Sequence, residues 1–587
     1  MNKEYLVVLK AGVDKADYVS QVGEITVPQQ HRPKLLICRL SEAQKIALES
    51  DSNVEDITDY RKLKSETVLV NCAARNISFN RPTGEQERDY IETASLGNYG
   101  LVRHTSQVNN IPATDTDASG TYTYEYDGTG VDLILNLASI LDRFDPEFLG
   151  SNGLTRLQLF QWNTLPGMED VPTVDYTASR LTLPSDNLVD SHAESVAYIT
   201  CGNTYGWATG TDIYVMPRNQ IDLVEYGWDC MRLFHENKGN NRPTVVVDAI
   251  AYVKTHIFHR ANNVLFRNQL HQELGADGAP LVTLGTHSGS LGTSQGTAFG
   301  CTPYDALNSG YSYDRQNGEP TTSNIIDRVN NNYPTFSHSF FMEPIEDMIA
   351  AGVHHISAVG NAGHAVHVEG HPDYNNSYTR WMKRDENLDY SQTYQADYIY
   401  TYNRASYVVS GDTIAVGALA SRWSNDDYNG QETLAGFSNR GTRVDCVAAG
   451  DNIYMELRNN GYYNATGTSF AAPQIGGMAC LVLEKYPTTT PAQLRKYFRD
   501  HAVGQDTLYD SGLQPVSSSS RGDSAYFMDW GGLQGYSGNI AYLDPDLTFD
   551  PTTITITDTS FTDDATGLVD NKLDYTTAEI NTKLGTI

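Results

Sequence analysis

The 587-residue chain is 40% hydrophobic and has a formal net charge of −31, from 41 Lys and Arg against 72 Asp and Glu. That length and apolar content fit a globular protein of two to four domains with at least one large core. The acidic balance argues against non-specific binding to nucleic acid or to anionic membranes. Charged residues are only 19% while Tyr numbers 37, so a surface rich in Tyr and uncharged polar groups is expected, suited to adaptable contacts. The 7 cysteines form no C-x-x-C pair, which fits small buried thiols in a reducing compartment. The start, "MNKEYLVVLKAGVDK", holds one short apolar run, and reads as neither a signal peptide nor a membrane span.

In chain order, the first sixty or so residues read as a small α+β unit, placed at 1–64. "EYLVVLK" and "KLLICRL" are strands, "SEAQKIALES" is a helix opened by a capping box of Ser41 and Gln44, and "SNVEDITDY" is a last strand. Residues 65–125, with "FNRPTGEQ" and "TDTDASGTYTYEY", read as a polar connecting segment. From there to about His501, apolar runs alternate with helical patterns. "VDLILNL", "DIYVMP", "TVVVDAIAYV", "HHISAVGN", "TIAVGAL" and "VDCVAAG" are strands; "HAESVAYITCGN" and "FAAPQIGGMACLVLEKY" are helices. The pattern predicts an α/β domain at 126–503, a mostly parallel sheet with helices on both faces, interrupted at 262–340 and 364–410. Residues 504–587 read as a β-rich extension, with "LTFDPTTITITDTSF" giving one or two strands and "LDYTTAEINTKLGTI" a terminal helix.

One stretch carries chemistry. In "NATGTSFAAPQIGG", Asn464 to Gly477, a Gly-Thr turn presents Ser469 and a helix starts at once. Backbone N–H groups at a helix start can stabilise an oxyanion, and Pro473 suits a first turn. Serines at helix starts are common, but seven consecutive residues here resemble the nucleophile motif G-T-S-x-A-x-P of the subtilase serine endopeptidases. Other segments resemble that family in the same order. "NYGLVRHT" looks like the start of a mature subtilase, and "DSHAESVAYITCGNTYGWATGTDIYVMP" its segment with the catalytic base, here His192. "GVHHISAVGNAG" resembles the strand ending in the oxyanion asparagine, here Asn361, and "GFSNRG" the F-S-N-x-G turn. Residues 1–60 are similar to the family's inhibitor-type propeptide. The resemblance implies a subtilisin-like α/β fold and a Ser469–His192 pair, with Asn361 and the Ser469 amide as oxyanion hole. It covers most of 1–503.

The same resemblance exposes gaps. The family's first strand ends V-x-V-x-D-T/S-G-I, its Asp orienting the base. In "GTGVDLILNLASI", aligning Ile140 with the final Ile puts Leu137 where the Asp belongs. Asn136, one residue away, should point to the opposite face of the strand. Asp142 and Asp145 lie past the turn and read as solvated loop acids. The family's H-G-T-H-x-A-G becomes H-A-E-S-V-A-Y, so Ala193 and Tyr198 replace glycines that permit close backbone approach. In "VVVDAIAYV", Ala249 and Ala251 replace the Ser and Gly of the strand that in the family pairs with substrate backbone.

Weaker signals carry little. "DTDASGTYTYEY" resembles a calcium loop, but its acid, Glu125, falls one position early. Arg521–Asp523 spells a chance tripeptide. The His-rich stretch from His354 to His371 lacks a metal-ligand spacing and reads as isolated surface histidines. No cofactor or metal is expected. The chain also resembles subtilase-like virion structural proteins of large tailed marine bacteriophages. That resemblance implies an inactive subtilisin-like component of a capsid, neck or tail, made in the host cytoplasm. Its partners would be other virion proteins and copies of itself, not nucleic acid or membrane. The alternative is an active or slow serine endopeptidase using Ser469 and His192, which would cut its own chain between the propeptide-like unit and Tyr99.

Overall fold

The computed structural model describes residues 3–10, 13, 35–59, 67–71, 98–105, 125–176, 188–221, 226–254, 260–266, 269–272, 339–361, 366–368, 371, 374, 377–382, 394–401, 409–420, 433–435, 437–457, 461–502, 540–544 and 546–556. The chain begins with β1 (Lys3–Leu9), β2 (Leu35–Leu40), α1 (Glu42–Glu49), β3 (Val54–Asp59), β4 (Thr67–Asn71) and the short helix α2 (Gly100–Arg103). There follow β5 (Asp132–Leu137), α3 (Leu188–Cys201), β6 (Asp212–Pro217), α4 (Trp228–Asn237), β7 (Thr244–Asp248), β8 (Ile250–Lys254), β9 (Arg260–Phe266), β10 (Gln269–Gln272) and α5 (Ser339–Ala350). The last are β11 (His354–Ala358), β12 (Ser377–Met382), β13 (Tyr394–Thr401), β14 (Ile414–Ala420), β15 (Thr433–Leu434), β16 (Cys446–Ala449), β17 (Ile453–Leu457), β18 (Gly461–Ala465), α6 (Thr468–Lys485) and α7 (Pro491–Asp500).

The chain forms two compact units. The first holds Met1–Val70, Tyr252–Asp347 and Asn375–Tyr402. Its antiparallel sheet runs β2-β1-β3. Alternate residues Tyr5, Val7 and Leu9 meet Leu36, Cys38 and Leu40, and Leu48 of α1 closes this core. The expected capping box is present: Ser41 Oγ accepts from the Gln44 N–H at 3.3 Å, and Gln44 Oε1 accepts from the Ser41 N–H at 2.9 Å. In the same unit β10-β9-β12-β13 make an antiparallel sheet. Strands from the two long insertions therefore join through the β9–β12 pairing. Strand β4 pairs with β8.

The second unit holds Asn71–Ala251, Met348–Tyr374 and Asn403–Ile587. Its sheet runs β15-β14-β11-β7-β5-β6, with β16 also on β14. Every pairing is parallel except β14–β15. This is the expected subtilisin-like α/β sheet. Neighbouring residues of β7 show that helices cover both faces. Val247 lies against Gly476 of α6, while Asp248 accepts from the Trp228 indole N–H of α4 at 3.3 Å. Valines 245–247 are all fully buried, as a strand covered on both sides requires.

Two expectations change. In the described part of the C-terminal extension, the β character reduces to a bridge between Ile540 and Val447. "FDPTT" forms a 3-10 turn, Pro551–Thr553, because Asp550 caps it and Pro551 fits its first position. Within the stretch read as a connector, β4 is a strand and the segment around α2 is core: Tyr99, Leu101 and His104 are buried. The possible calcium loop up to residue 124, the Arg521–Asp523 tripeptide and the expected terminal helix lie outside the described residues. Cys38, Cys201, Cys230, Cys446 and Cys480 are free and buried, as read.

Candidate active site

Ser469 is the second residue of α6. Gly467, with φ 151°, makes the turn before it, a backbone conformation open to glycine, and its N–H donates to Gly450 O at 2.7 Å. Asn361, just past β11, reaches the same helix start. Its Oδ1 accepts from both the backbone N–H and the hydroxyl of Thr468, each at 2.8 Å. The structure thus brings Asn361, which the resemblance assigns to the oxyanion hole, against the turn that carries the serine. Ser469 itself is 0% exposed, and its Oγ has no hydrogen-bond partner.

His192 lies on α3, packed against α6. It is 1% exposed, and its ring sits 5.2 Å from that of Phe470. Neither ring nitrogen has a hydrogen-bond partner. Burial in these surroundings, with a smaller contribution from the Arg218 guanidinium, pushes the imidazole pKa down to about 3. A base oriented by a carboxylate would be shifted the other way. The hydroxyl-to-imidazole hydrogen bond that activates a nucleophile is absent as well.

Leu137 ends β5, buried. It pairs in parallel register with Pro217, and its carbonyl accepts from the Arg218 N–H at 2.9 Å. The strand end that should supply an anion thus has a cationic residue beside it. Sequence reasoning missed Arg218, whose relevance depends on the β5–β6 register.

The other candidate acids are engaged elsewhere. Asn136 points away from the base, as expected, and its Nδ2 donates to Asp248 on the α4 side of the sheet. Asp142 accepts from the Phe144 N–H at 2.9 Å. Asp145 proves buried rather than solvated: it caps the short helix Pro146–Phe148 and accepts from the Tyr198 hydroxyl at 2.7 Å. Glu194 also accepts from Tyr198, at 3.2 Å. The Tyr198 hydroxyl thus lies within hydrogen-bond distance of both carboxylates and shares its one proton between them, with Asp145 the nearer.

The histidines expected at the surface are buried as well. His354, His355, His367 and His371 are each at most 7% exposed, because the first two lie in a strand covered on both faces. His355 belongs to a polar chain that sequence reasoning missed. Its Nε2 donates to Asp248 at 2.8 Å and its Nδ1 meets Thr413 Oγ1 at 2.9 Å. The Thr413 hydroxyl donates on to Ser410 O at 2.5 Å. The acid–histidine–hydroxyl order is complete here, but all three groups are sealed in the core. The polar residues within "TVVVD" and "HHIS" were the available signal. Among the described residues no group of three or more His, Cys, Asp or Glu could hold a metal. Nor, among them, is any helix long and apolar enough to cross a membrane.

The model of the Subtilase family matches residues 287–524, a span that contains Asn361 and Ser469 and leaves out Leu137 and His192. Subtilisin DY of Bacillus licheniformis is 32% identical over 122 residues, 20% of this chain and 41% of that protein. Subtilisin E of Bacillus subtilis (strain 168) is 35% identical over 111 residues, 19% of this chain and 27% of that protein. The chain thus spans well under half the length of these relatives. A cold adapted subtilisin-like serine proteinase of known structure is 16% identical with a TM-score of 0.35, covering 71% of this chain and 95% of that one. The chain is thus similar to the subtilase family over part of its length, and it is built on a subtilisin-like α/β sheet.

Proposed function

We propose that the chain is a subtilisin-like protein without peptidase activity. One observation carries this reading: His192, at the base position, is buried with no partner on either ring nitrogen, and Leu137 stands where its acid belongs. Loss of the acid's charge alone costs roughly 10⁴ in rate in a related triad. Two features add support. Arg218 disfavours the imidazolium that must form during turnover. Ala249 and Ala251 stand where the resemblance places the Ser and Gly of the substrate-pairing strand.

The role that fits such a protein is structural: a component of a bacteriophage capsid, neck or tail, made in the host cytoplasm, contacting other virion proteins and copies of itself. The acidic balance, the abundance of Tyr and the resemblance to phage virion proteins support it. Mass spectrometry of purified virions should find the chain, uncut before Tyr99, and its absence there would remove this role.

One feature favours the second reading, a slow endopeptidase: Asn361 remains fixed at the helix start beside Ser469. A fluorophosphonate probe separates the two. Labelling no stronger than in Ser469→Ala is expected; strong labelling that depends on Ser469 would establish a working nucleophile.

A further inference from the structure

The C-terminal segment 540–556 is held on the second unit in the manner of a bound peptide. Ile540 extends β16 through a parallel bridge to Val447, and the Ala541 N–H donates to Val447 O at 2.9 Å. His104 grips the next step from both ends. Its Nδ1–H donates to Ala541 O at 2.8 Å, its Nε2 accepts from the Ala449 N–H at 2.9 Å, and its carbonyl accepts from the Leu543 N–H at 2.8 Å. Further on, Lys485 Nζ and the Tyr486 hydroxyl donate to Leu547 O at 2.9 and 2.7 Å. Gln493 Nε2 donates to Thr552 O and Ile554 O. Apart from the Ala449–His104 bond, which orients the imidazole, every one of these bonds addresses tail backbone, while Ile540, Ala541, Leu543 and Leu547 are buried to 2% exposure or less. Backbone pairing for affinity with alternate side chains in pockets for specificity is how strand-adding peptides are recognised. Leu547 also takes a φ of 45°, costly for a branched residue, and the two donors on its carbonyl hold it there.

None of these contacts requires that tail and groove share a chain. We infer that the groove between His104 and α7 is a docking site for residues 540–556 that accepts this segment from a second copy as well as from its own chain. Residues 503–539 join α7 to the tail, with a covalent reach of up to about 130 Å, enough for a neighbour. The balance between the two modes follows from concentration. A tethered tail faces its own groove at an effective concentration on the order of millimolar. Dilute protein keeps the tail at home, and exchange between copies takes over where copies are crowded. The inference stands whether or not Ser469 is active.

The test uses a full-length acceptor carrying Leu543→Asp, which loosens its own tail, and a fluorescent peptide of residues 540–556. The peptide should bind the folded acceptor, and a peptide carrying the same substitution should bind roughly 100-fold more weakly. Mixed with wild-type chain at hundreds of micromolar, below the effective concentration of the resident tail, a minor fraction of the acceptor should shift to a 1:1 species in sedimentation. No peptide binding by a folded acceptor would overturn the docking site, and peptide binding without the mixed species would overturn the second copy as its occupant. Should the acceptor fail to fold, wild-type chain cut within 503–539 after folding takes its place. Exchange of the labelled peptide for the resident tail supports the site, and no exchange overturns it.

Discussion

Two buried histidines in one unit have opposite surroundings. His355 has an acid on one nitrogen and a hydroxyl on the other. His192, which the sequence resemblance assigns to the base position, has neither. Both are at most 1% exposed, so burial alone does not separate them. The difference lies in what the sheet delivers. Strand order β5-β7-β11 lines up Asn136, Asp248 and His355 on the α4 side of the sheet. The same β5, one residue later, offers α3 only Leu137. A buried polar group without a partner costs free energy that a paired one does not. Nothing else in the surroundings of His192 offsets that cost. The fold is sustained by the first arrangement and merely tolerates the second.

Acid should expose the contrast most strongly. His104, His192 and His354 all have pKa values pushed down to about 3 by burial. The unfolded chain takes up these protons near pH 6.5, whereas the folded chain resists until about pH 3. Stability is therefore full above pH 6.5 and falls as pH drops toward 3, by about 1.4 kcal/mol per pH unit for each group. The three together give about 4 kcal/mol per unit. His192→Leu should reduce that slope by about a third, read from urea unfolding at several pH values through Trp162, Trp207 and Trp228, which lie in this unit. An unchanged slope would mean that the His192 surroundings are less forbidding to charge than the packing suggests.

At neutral pH the comparison sharpens on the acid. Asp248→Ala strands Asn136, Trp228 and His355 at once, and a loss of about 3–5 kcal/mol is expected. His192→Leu at the same pH should cost little or even stabilise, because it removes two unpaired nitrogens. If the two variants lost equal stability, the contrast drawn from their hydrogen bonds would fail.

Restoring the missing acid gives an effect of intermediate size. Leu137→Asp places a carboxylate at the strand end facing the base position, with Arg218 as a competitor for it. The His192 pKa should rise by about 1–3 units, measured by following its ring resonances against pH. No rise would mean that Arg218 captures the new carboxylate, making the cation a second and independent lesion.

Much of this was legible in advance because it is local. Unbroken apolar runs announce strands covered on both faces, Ser41 and Gln44 announce a capped helix, and Leu137 can be aligned from its own few neighbours. What was not legible depends on register between distant segments. Arg218 matters because β6 pairs with β5. Asp248 and His355 sit 107 residues apart in sequence, and no period along one strand reveals the other's approach. The surface reading of His354 and His355 failed for the same reason: a polar residue in a strand buried on both sides has no exposed face to turn toward. The clasp of His104 on Ala541 joins segments 437 residues apart. Neither "NYGLVRHT" nor "GNIAYLD" hints at it alone.

The smallest expected effect bears on the serine itself. Thr413→Val removes a hydroxyl that serves both His355 and Ser410, and should cost about 1–2 kcal/mol. Ser469→Ala removes a hydroxyl that serves nothing. A buried, unpartnered Oγ has already given up its bonds to water, so its removal should leave stability unchanged or raise it by up to about 1 kcal/mol. The pair of variants sets two buried hydroxyls in one unit against each other, with at most one heavy atom of volume lost and different bonding. A destabilised Ser469→Ala would point to a bond that Ser469 makes in solution, with His192 across the α3–α6 contact as the first group to test for it. The double variant Ser469→Ala/His192→Leu would then show a coupling energy, which the two unpartnered side chains predict to be near zero.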